Sequence, residues 1–463
     1  MSDFTINLYT DDDIYSVKDF TTSLRMEHFI NAPYSQATLN LRVPLHLQHD
    51  ALPLHDKKMF DVGAWLQVFD LDLKTTVFLG RCSTASTGVE VQEDGLKDTI
   101  DFNVSFDSWL VPLMKGQVFL SGKSFGLNGH IFNIDTWGSL IMKALSTPFT
   151  TTDVGATLKT LWNLTSSYYR FPKTLLPNGT LKKVPIVHNQ ATVSQYAPDR
   201  KSRFRSVFGR AINAYSSVTT GNTAWGLITS SFDCDPSVFE LFPSLEPSTV
   251  QGGALGSALK ATPCIIYRVK PFIFDSVKAS TTGAVNEKSL HPSIDAVYIS
   301  ASKIQMLSVN LSDENRVNAV YVSTPLNVSK GVETFGLVGS PVLDRADIEK
   351  HGMRLYKANY PFFPTGRSKK TTLSSDVNYV ISLCSQIMLN SHRYYTGSAN
   401  LLYDGSIRAG RWYRLQTDQS NTDKDLLVYT EKVEHSINVV GSNVIQSRTN
   451  IRFTRAFYAG EEP

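Results

Sequence analysis

The chain has 463 residues, room for about three domains, and its 42% hydrophobic and 19% charged content is ordinary for a globular protein, which excludes disorder as its main state. Its 45 basic and 42 acidic residues leave a formal charge of +3 with no long run of one sign, which excludes the basic stripe of a nucleic-acid binder. Cys82, Cys234, Cys264 and Cys384 lie far apart with no Cys-x-x-Cys pair. That spacing speaks against a disulfide framework or zinc site and for reduced thiols in a cytosol.

The N-terminus is acidic at Asp11–Asp13 and lacks the apolar core of a signal peptide. No apolar run approaches the ~18 residues of a membrane helix. The sequence therefore predicts a soluble protein. Its first 130 residues read as strands. Ala37, Leu39, Leu41 and Val43 alternate with polar residues, as do Ile100, Phe102, Val104 and Phe106. Period-2 patterning with one wet face, broken by Pro33, Pro44, Gly63 and Gly80, predicts an antiparallel barrel or sandwich.

From about residue 131 the period becomes helical. Asp135 heads a helix with Trp137, Leu140, Ile141 and Ala144, and Asp153 a second with Val154, Leu158, Leu161 and Trp162. A third carries Phe204, Val207, Phe208, Ala211 and Tyr215. Its flanking cluster of Arg200, Lys201, Arg203, Arg205 and Arg210 reads as a solvated helix face or, second, a protein-docking face. A short strand at 264–268 makes this region α+β, and the Ser/Thr/Gly-rich stretch 276–293 reads as a loop. Strands return at 296–300 and 317–322. Asp344 caps a short helix with Asp347 at N3, and Gly352 stops it at C′. Val380, Leu383, Cys384 and Ile387 mark a further helix. From Tyr395 onward the chain is strand-like: Val433, His435 and Ile437 face one way and Lys432, Glu434 and Ser436 the other. In the closing strand Gln446, Arg448, Asn450 and Arg452 form the polar face.

Catalytic motifs are wanting. Gly116 to Ser124 resembles a phosphate loop but has five residues between its glycines, where that loop needs four, and its middle is apolar. Gly252, Gly253 and Gly256 read as a turn. No His-Glu-x-x-His or Gly-x-Ser-x-Gly occurs, and the histidines (His28, His46, His49 and His55 among them) read as scattered, the His46/His49 pair as a loop. The sequence predicts no catalytic, cofactor-binding or metal-binding residues. Trp65, Trp109 and Trp412 fall in strand-like context, so they read as core residues.

Several stretches, in order over about residues 224–455, resemble the phage tail and baseplate hub proteins, a family that includes the N-terminal part of type VI secretion spike proteins. They are Ala224 to Ile228, Val238 to Phe242, Pro263 to Phe272 with its Arg268-x-x-Pro271-Phe272, and Ile304 to Val322 with its Ser-Asp turn and Asn318. Asp344 to Arg354 and Gly405 to Trp412 continue the series, which closes with Tyr429 to Ser436 followed by Thr449 to Arg455. The resemblance implies a homotrimer in which each subunit gives two similar barrels to a ring, so that three subunits imitate a six-fold tube. It implies contacts with the tail tube protein, a central spike protein and other baseplate or tape-measure proteins, with DNA only as transient cargo in the lumen. The place implied is a virion tail tip, assembled in the bacterial host cytoplasm.

The expected fold is α+β, mainly β: two similar antiparallel β-barrels with an intervening, discontinuous α+β domain. The expected boundaries are 1–130 for the first barrel, 131–293 with 331–395 for the lateral domain, and 294–330 with 396–463 for the second barrel. Strand edges are expected to join barrel to barrel. Gln446, Arg448, Asn450 and Arg452 are expected on the lumen or at a subunit boundary. Because the sequence stops soon after the last strand without a β-helical repeat, a separate spike is expected. The alternatives are a virion-associated cell-wall or glycan hydrolase, and a sugar-binding or adhesin module.

Overall fold

The computed structural model describes residues 4–30, 35–44, 64–90, 99–109, 172–175, 186–188, 239–247, 261–269, 296–314, 316–329, 332–337, 341–359, 385, 388–417, 424–440 and 443–459. The N-terminal strands are β1 (Phe4–Tyr9), β2 (Ile14–Ser16), β3 (Thr21–Phe29), β4 (Gln36–Pro44), β5 (Trp65–Asp70), β6 (Thr75–Glu90) and β7 (Thr99–Ser108). They pair antiparallel in the order β3-β4-β7-β6-β5-β1-β2. Alternation decides which residues go inside. Phe4, Ile6 and Leu8 of β1 enter the same apolar cluster as Leu24 and Met26 of β3, Leu39 and Leu41 of β4, and Val104 and Phe106 of β7. Strands at opposite ends of the order thus share one core, so the sheet is curled around it.

The C-terminal strands are β11 (Val297–Ile299), β12 (Ile304–Asn310), β17 (Tyr395–Leu402), β18 (Trp412–Leu415), β19 (Leu426–Val440) and β20 (Asn443–Tyr458). Their order, β12-β17-β20-β19-β18-β11, repeats β3-β4-β7-β6-β5-β1 strand for strand. The likeness extends to irregularities. A 3-10 turn precedes β3 at Lys18–Phe20 and β12 at Ala301–Lys303. A register shift follows, between Thr21 and Ser23 in one and Ile304 and Met306 in the other. Asn40 faces Asn103 as Asn400 faces Asn450. The long strands β6 and β19 each shift register opposite a phenylalanine, between Cys82 and Thr84 at Phe106 and between Thr430 and Lys432 at Phe453. One difference stands out: β1 runs antiparallel to β5, whereas β11 runs parallel to β18.

The two sets form one 13-stranded sheet, because the second half of β19 pairs with β3. Among the described residues neither set closes into a barrel by strand pairing, so the expected two barrels are here two curled halves of a continuous sheet. Between β12 and β17 lie β13 (Ala319–Ser329), β14 (Val332–Leu337), β15 (Val342–Leu343), helix α1 (Arg345–His351) and β16 (Leu355–Asn359). β13, expected among the strands of the second barrel, pairs instead with β14, β15 and β16 in a separate sheet. A third sheet joins β8 (Ile186–His188), β9 (Phe239–Pro247) and β10 (Ala261–Val269), and β10 contains the strand expected at 264–268. The helices expected near 135–144, 153–162 and 204–215, the one near 380–387 except for the helical Ser385, the basic cluster at 200–210, the glycine motifs, His46, His49, His55 and the loop 276–293 lie outside the described residues, as do the stretch 224–228 and residues 270–272. Cys82 is buried. Trp65, Trp109 and Trp412 are all buried, as their strand-like context predicts.

Candidate functional site

Where the two strand sets meet, β19 residues Lys432–Asn438 lie antiparallel to β3 residues Phe29–Ser23. Each strand presents alternate residues to each side. On the inner face stand Leu24 and Met26 of β3 with Val433, His435 and Ile437 of β19, all fully or almost fully buried. Ile437 and Val439 belong to the N-terminal core, so β19 completes that core. On the outer face Arg25 Nη2 lies 2.6 Å from Glu27 and 2.9 Å from Glu434, and Lys432 Nζ lies 3.1 Å from Glu27. Such a half-exposed network contributes a few tenths of a kcal/mol per pair, on the order of 1 kcal/mol at most. The seam is held mainly by its ladder and its apolar side.

Two histidines sit in that apolar side. The rings of His28 and His435 are 5.9 Å apart, and Tyr403 lies 5.5 Å from His435. His435 Nδ1 shares a 3.0 Å hydrogen bond with Thr449 Oγ1, which accepts the Asp404 N–H at 3.0 Å. The Nε2 atoms of both histidines are enclosed. Burial, reinforced by the Arg408 guanidinium, pushes His28 down to about 3. Burial, with His28 and Arg408 adding to it and a backbone contact from Ile407 opposing, holds His435 well below the ordinary histidine range. Tyr403 donates to Asp70 Oδ2 at 3.2 Å and stacks edge-on to Phe4, tying the second strand set to the β5–β6 turn of the first. Its hydroxyl is raised by burial, then by Asp70. His435 is fully buried and His28 half-buried with its Nε2 enclosed, and both are held neutral, which suits packing. His435 is the structural strand residue its alternation predicts, with a side-chain hydroxyl as its hydrogen-bond partner. His28 was missed in the sequence because its neighbour lies some four hundred positions away; its phase with Leu24 and Met26 was the available signal.

Gln446, Arg448, Asn450 and Arg452 do share one face of β20, opposite the buried Thr449, Ile451 and Phe453. Gln446, Arg448 and Arg452 are exposed and Asn450 is half-buried. Arg448 faces Leu402 and Ser436, and Arg452 faces Ser398 and Lys432. They form a polar strip on the outer side of the sheet, continuous with the charged side of the seam.

Two of the motif stretches are brought together in the insertion. Asn318 is fully buried; its Nδ2 donates to Asp347 Oδ2 at 3.0 Å and to the Gly352 carbonyl at 2.7 Å, and its Oδ1 accepts from the Arg354 N–H at 2.6 Å. Asp344 caps α1 by accepting from the Asp347 N–H at 3.1 Å, and Gly352 ends it at φ 74° and ψ 167°. That is a glycine-only region beyond the left-handed basin expected of an ordinary helix stop. Arg316 bridges Asp313 and Asp347. This unit fixes a chain crossing. Among the described residues there is no cluster of three or more potential metal ligands, and no helix is long and apolar enough to cross a membrane.

No protein-family model matches the chain, and no curated protein sequence does. Similar solved structures are phage tail and type VI secretion proteins. The tail protein from Neisseria meningitidis MC58 is 9% identical at a TM-score of 0.45, with 97% of this chain and 96% of that one covered. The 43 kDa tail protein of prophage MuSo2 from Shewanella oneidensis is 11% identical at 0.46, with 99% and 100% covered. The Escherichia coli c3393 protein, a component of the type VI secretion system with structural similarity to T4 bacteriophage tail proteins gp27 and gp5, is 6% identical at 0.38, with 96% and 77% covered. At these scores the likeness carries no functional argument, which rests instead on this chain's own strands.

Proposed function

We propose that the chain is a structural hub of a phage-type tail or baseplate, adapting a six-fold tail tube to a three-fold central spike and lining the channel between them. The observation that carries this is the repeated strand order, with its matching turns, register shifts and asparagine pairs, in one polypeptide. A trimer meets a six-fold ring only if each subunit offers two near-equivalent faces, and two copies of one strand arrangement supply them. Closure of each copy into a barrel, with the insertion sheets hanging outside, belongs to this proposal. So do homotrimeric state, contacts with tube, spike and other baseplate proteins, and a location at the tail tip. The strip Gln446, Arg448, Asn450 and Arg452 is assigned to the lumen or to a subunit boundary because it is polar, exposed and continuous along one strand. The proposed role is structural and non-enzymatic, and the fully buried His435 is a packing residue, unlike the open acid–base group a glycan hydrolase needs.

The test is native mass. Purified chain should run as three copies with no clearing of a peptidoglycan suspension. A particle that stays single at every concentration, or wall clearing abolished by changing one acid or histidine, overturns the reading.

A further inference from the structure

Among the described residues the seam inside the chain leaves two complementary edges unpaired, and the repeat says how they fit. Matching the 3-10 turns and register shifts places Met306 of β12 at the position of Ser23 of β3, Leu307 at Leu24, Val309 at Met26 and Leu311 at His28. Matching the shifts in the long strands places Thr84 of β6 at Lys432 of β19, Ala85 at Val433, Ser86 at Glu434 and Val89 at Ile437. In β19 the stretch beyond the shift is the one that pairs with β3. In β6 the corresponding stretch, Thr84–Glu90, pairs only with β7 among the described residues, since the ladder with β5 ends at Arg81 opposite Trp65. β12 pairs only with β17 there, so its other edge ends the sheet.

Exposure follows the missing partner. Leu24 and Met26, covered by β19, are 1% and 0% exposed. Their counterparts Leu307 and Val309 are only half-buried, and Leu311 at 60% and Met306 at 61% stand open. Ala85 is exposed where its counterpart Val433 is fully buried. Long apolar edge strands are pairing templates, and here the template's complement is carried by the same chain.

The geometry points to a second copy of this chain as the occupant: β12 of one copy pairs antiparallel with Thr84–Glu90 of the next, in the register of the internal seam, with Ser86 opposite Asn310 and Val89 opposite Leu307. This rests on the hub reading only for the number of copies; the junction itself rests on the internal repeat. The contact is head-to-tail, so it closes into a ring or runs on as a filament. The seam's outer ion network is replaced at this junction by Thr84, Ser86, Ser308 and Asn310, which are neutral. With Glu90 the one charged residue in the paired stretches, assembly through it should depend on salt less than the ion-paired seam does.

A variant with Ser86→Cys and Asn310→Cys, oxidised without denaturant, tests this against the parent chain and against Ala85→Cys with Asn310→Cys, whose side chains fall on opposite faces. Disulfide-linked species that stop at three chains, formed by the first variant alone, are expected and support both junction and hub. A ladder running past three keeps the junction and overturns the three-copy hub. A particle of three-chain mass that the first variant does not link, or links no better than its control, overturns the junction and leaves the hub standing. A second variant, Leu311→Lys, changes one exposed side chain on the inner side of the joint, opposite Ala85. It should keep parent circular dichroism and weaken self-association about tenfold or more by placing charge in the joint. Self-association at parent strength overturns the proposal.

Discussion

The two halves of the large sheet share one strand order and differ at one edge. In the first, β3 is covered by β19 and its apolar residues vanish from solvent; in the second, β12 has no such cover among the described residues and the matching residues stand half-open. Since local pattern and topology agree, the difference measures what a neighbouring strand adds: a ladder, a wall for the core and burial of alternate side chains. It also shows that burial belongs to the assembled edge as much as to the residue. Leucine is found at Leu24 and Leu307 alike, with different surroundings.

The largest effect that would sharpen this contrast is Leu24→Ala, which should cost about 2–5 kcal/mol in chemical denaturation of the free chain. Leu307→Ala should cost clearly less. Equal losses would mean that the two positions are not equivalents. Next comes acid. His28 has a folded value near 3 against an ordinary 6.5. Its stabilising contribution is complete above pH 6.5 and is lost as pH falls from there towards 3, amounting to about 2 kcal/mol by pH 5. His435, shifted the same way, adds to the slope. Unfolding titrations of His28→Leu should show a shallower decline between pH 6.5 and 5 than the parent; an unchanged slope would remove the buried-histidine account. The mirror variant Leu311→His, at the open edge, should leave the free chain's pH slope as it was.

Smaller again is Gly352→Val, in the insertion that only the second half carries. A Cβ there meets nothing within 4 Å, so the cost is backbone strain alone, on the order of 1 kcal/mol or slightly more. It should loosen α1, read as faster amide exchange over 345–351, and leave the seam untouched. Arg448→Ala and Arg452→Ala should change free-chain stability by about 0.5 kcal/mol or less. A larger effect of theirs on assembly would fit the proposed boundary role of this strip.

Much of this was readable from alternation. The inward residues of β4, β7 and β19, the Asp344 cap and the Gly352 stop follow from side-chain period and capping chemistry. The repeat itself left a short trace, Leu39-Asn40-Leu41 beside Ala399-Asn400-Leu401 and Asn103-Val-Ser-Phe106 beside Asn450-Ile-Arg-Phe453, too brief to set register without the pairing. β13 looked like a strand of the second half because a period-2 pattern names a strand and not its sheet. The His28–His435 contact was hidden for the same reason: pairing across hundreds of residues is decided by register, which no local window contains.

The most direct measurement of the central claim is amide hydrogen exchange on the chain as a single copy and after assembly. β3 should be protected in both states. In 306–310 and 84–90 the alternate amides directed away from β17 and β7 should exchange fast in the single copy and become protected together on assembly. An assembled particle in which those two stretches exchange as they do in the single copy would contradict the account.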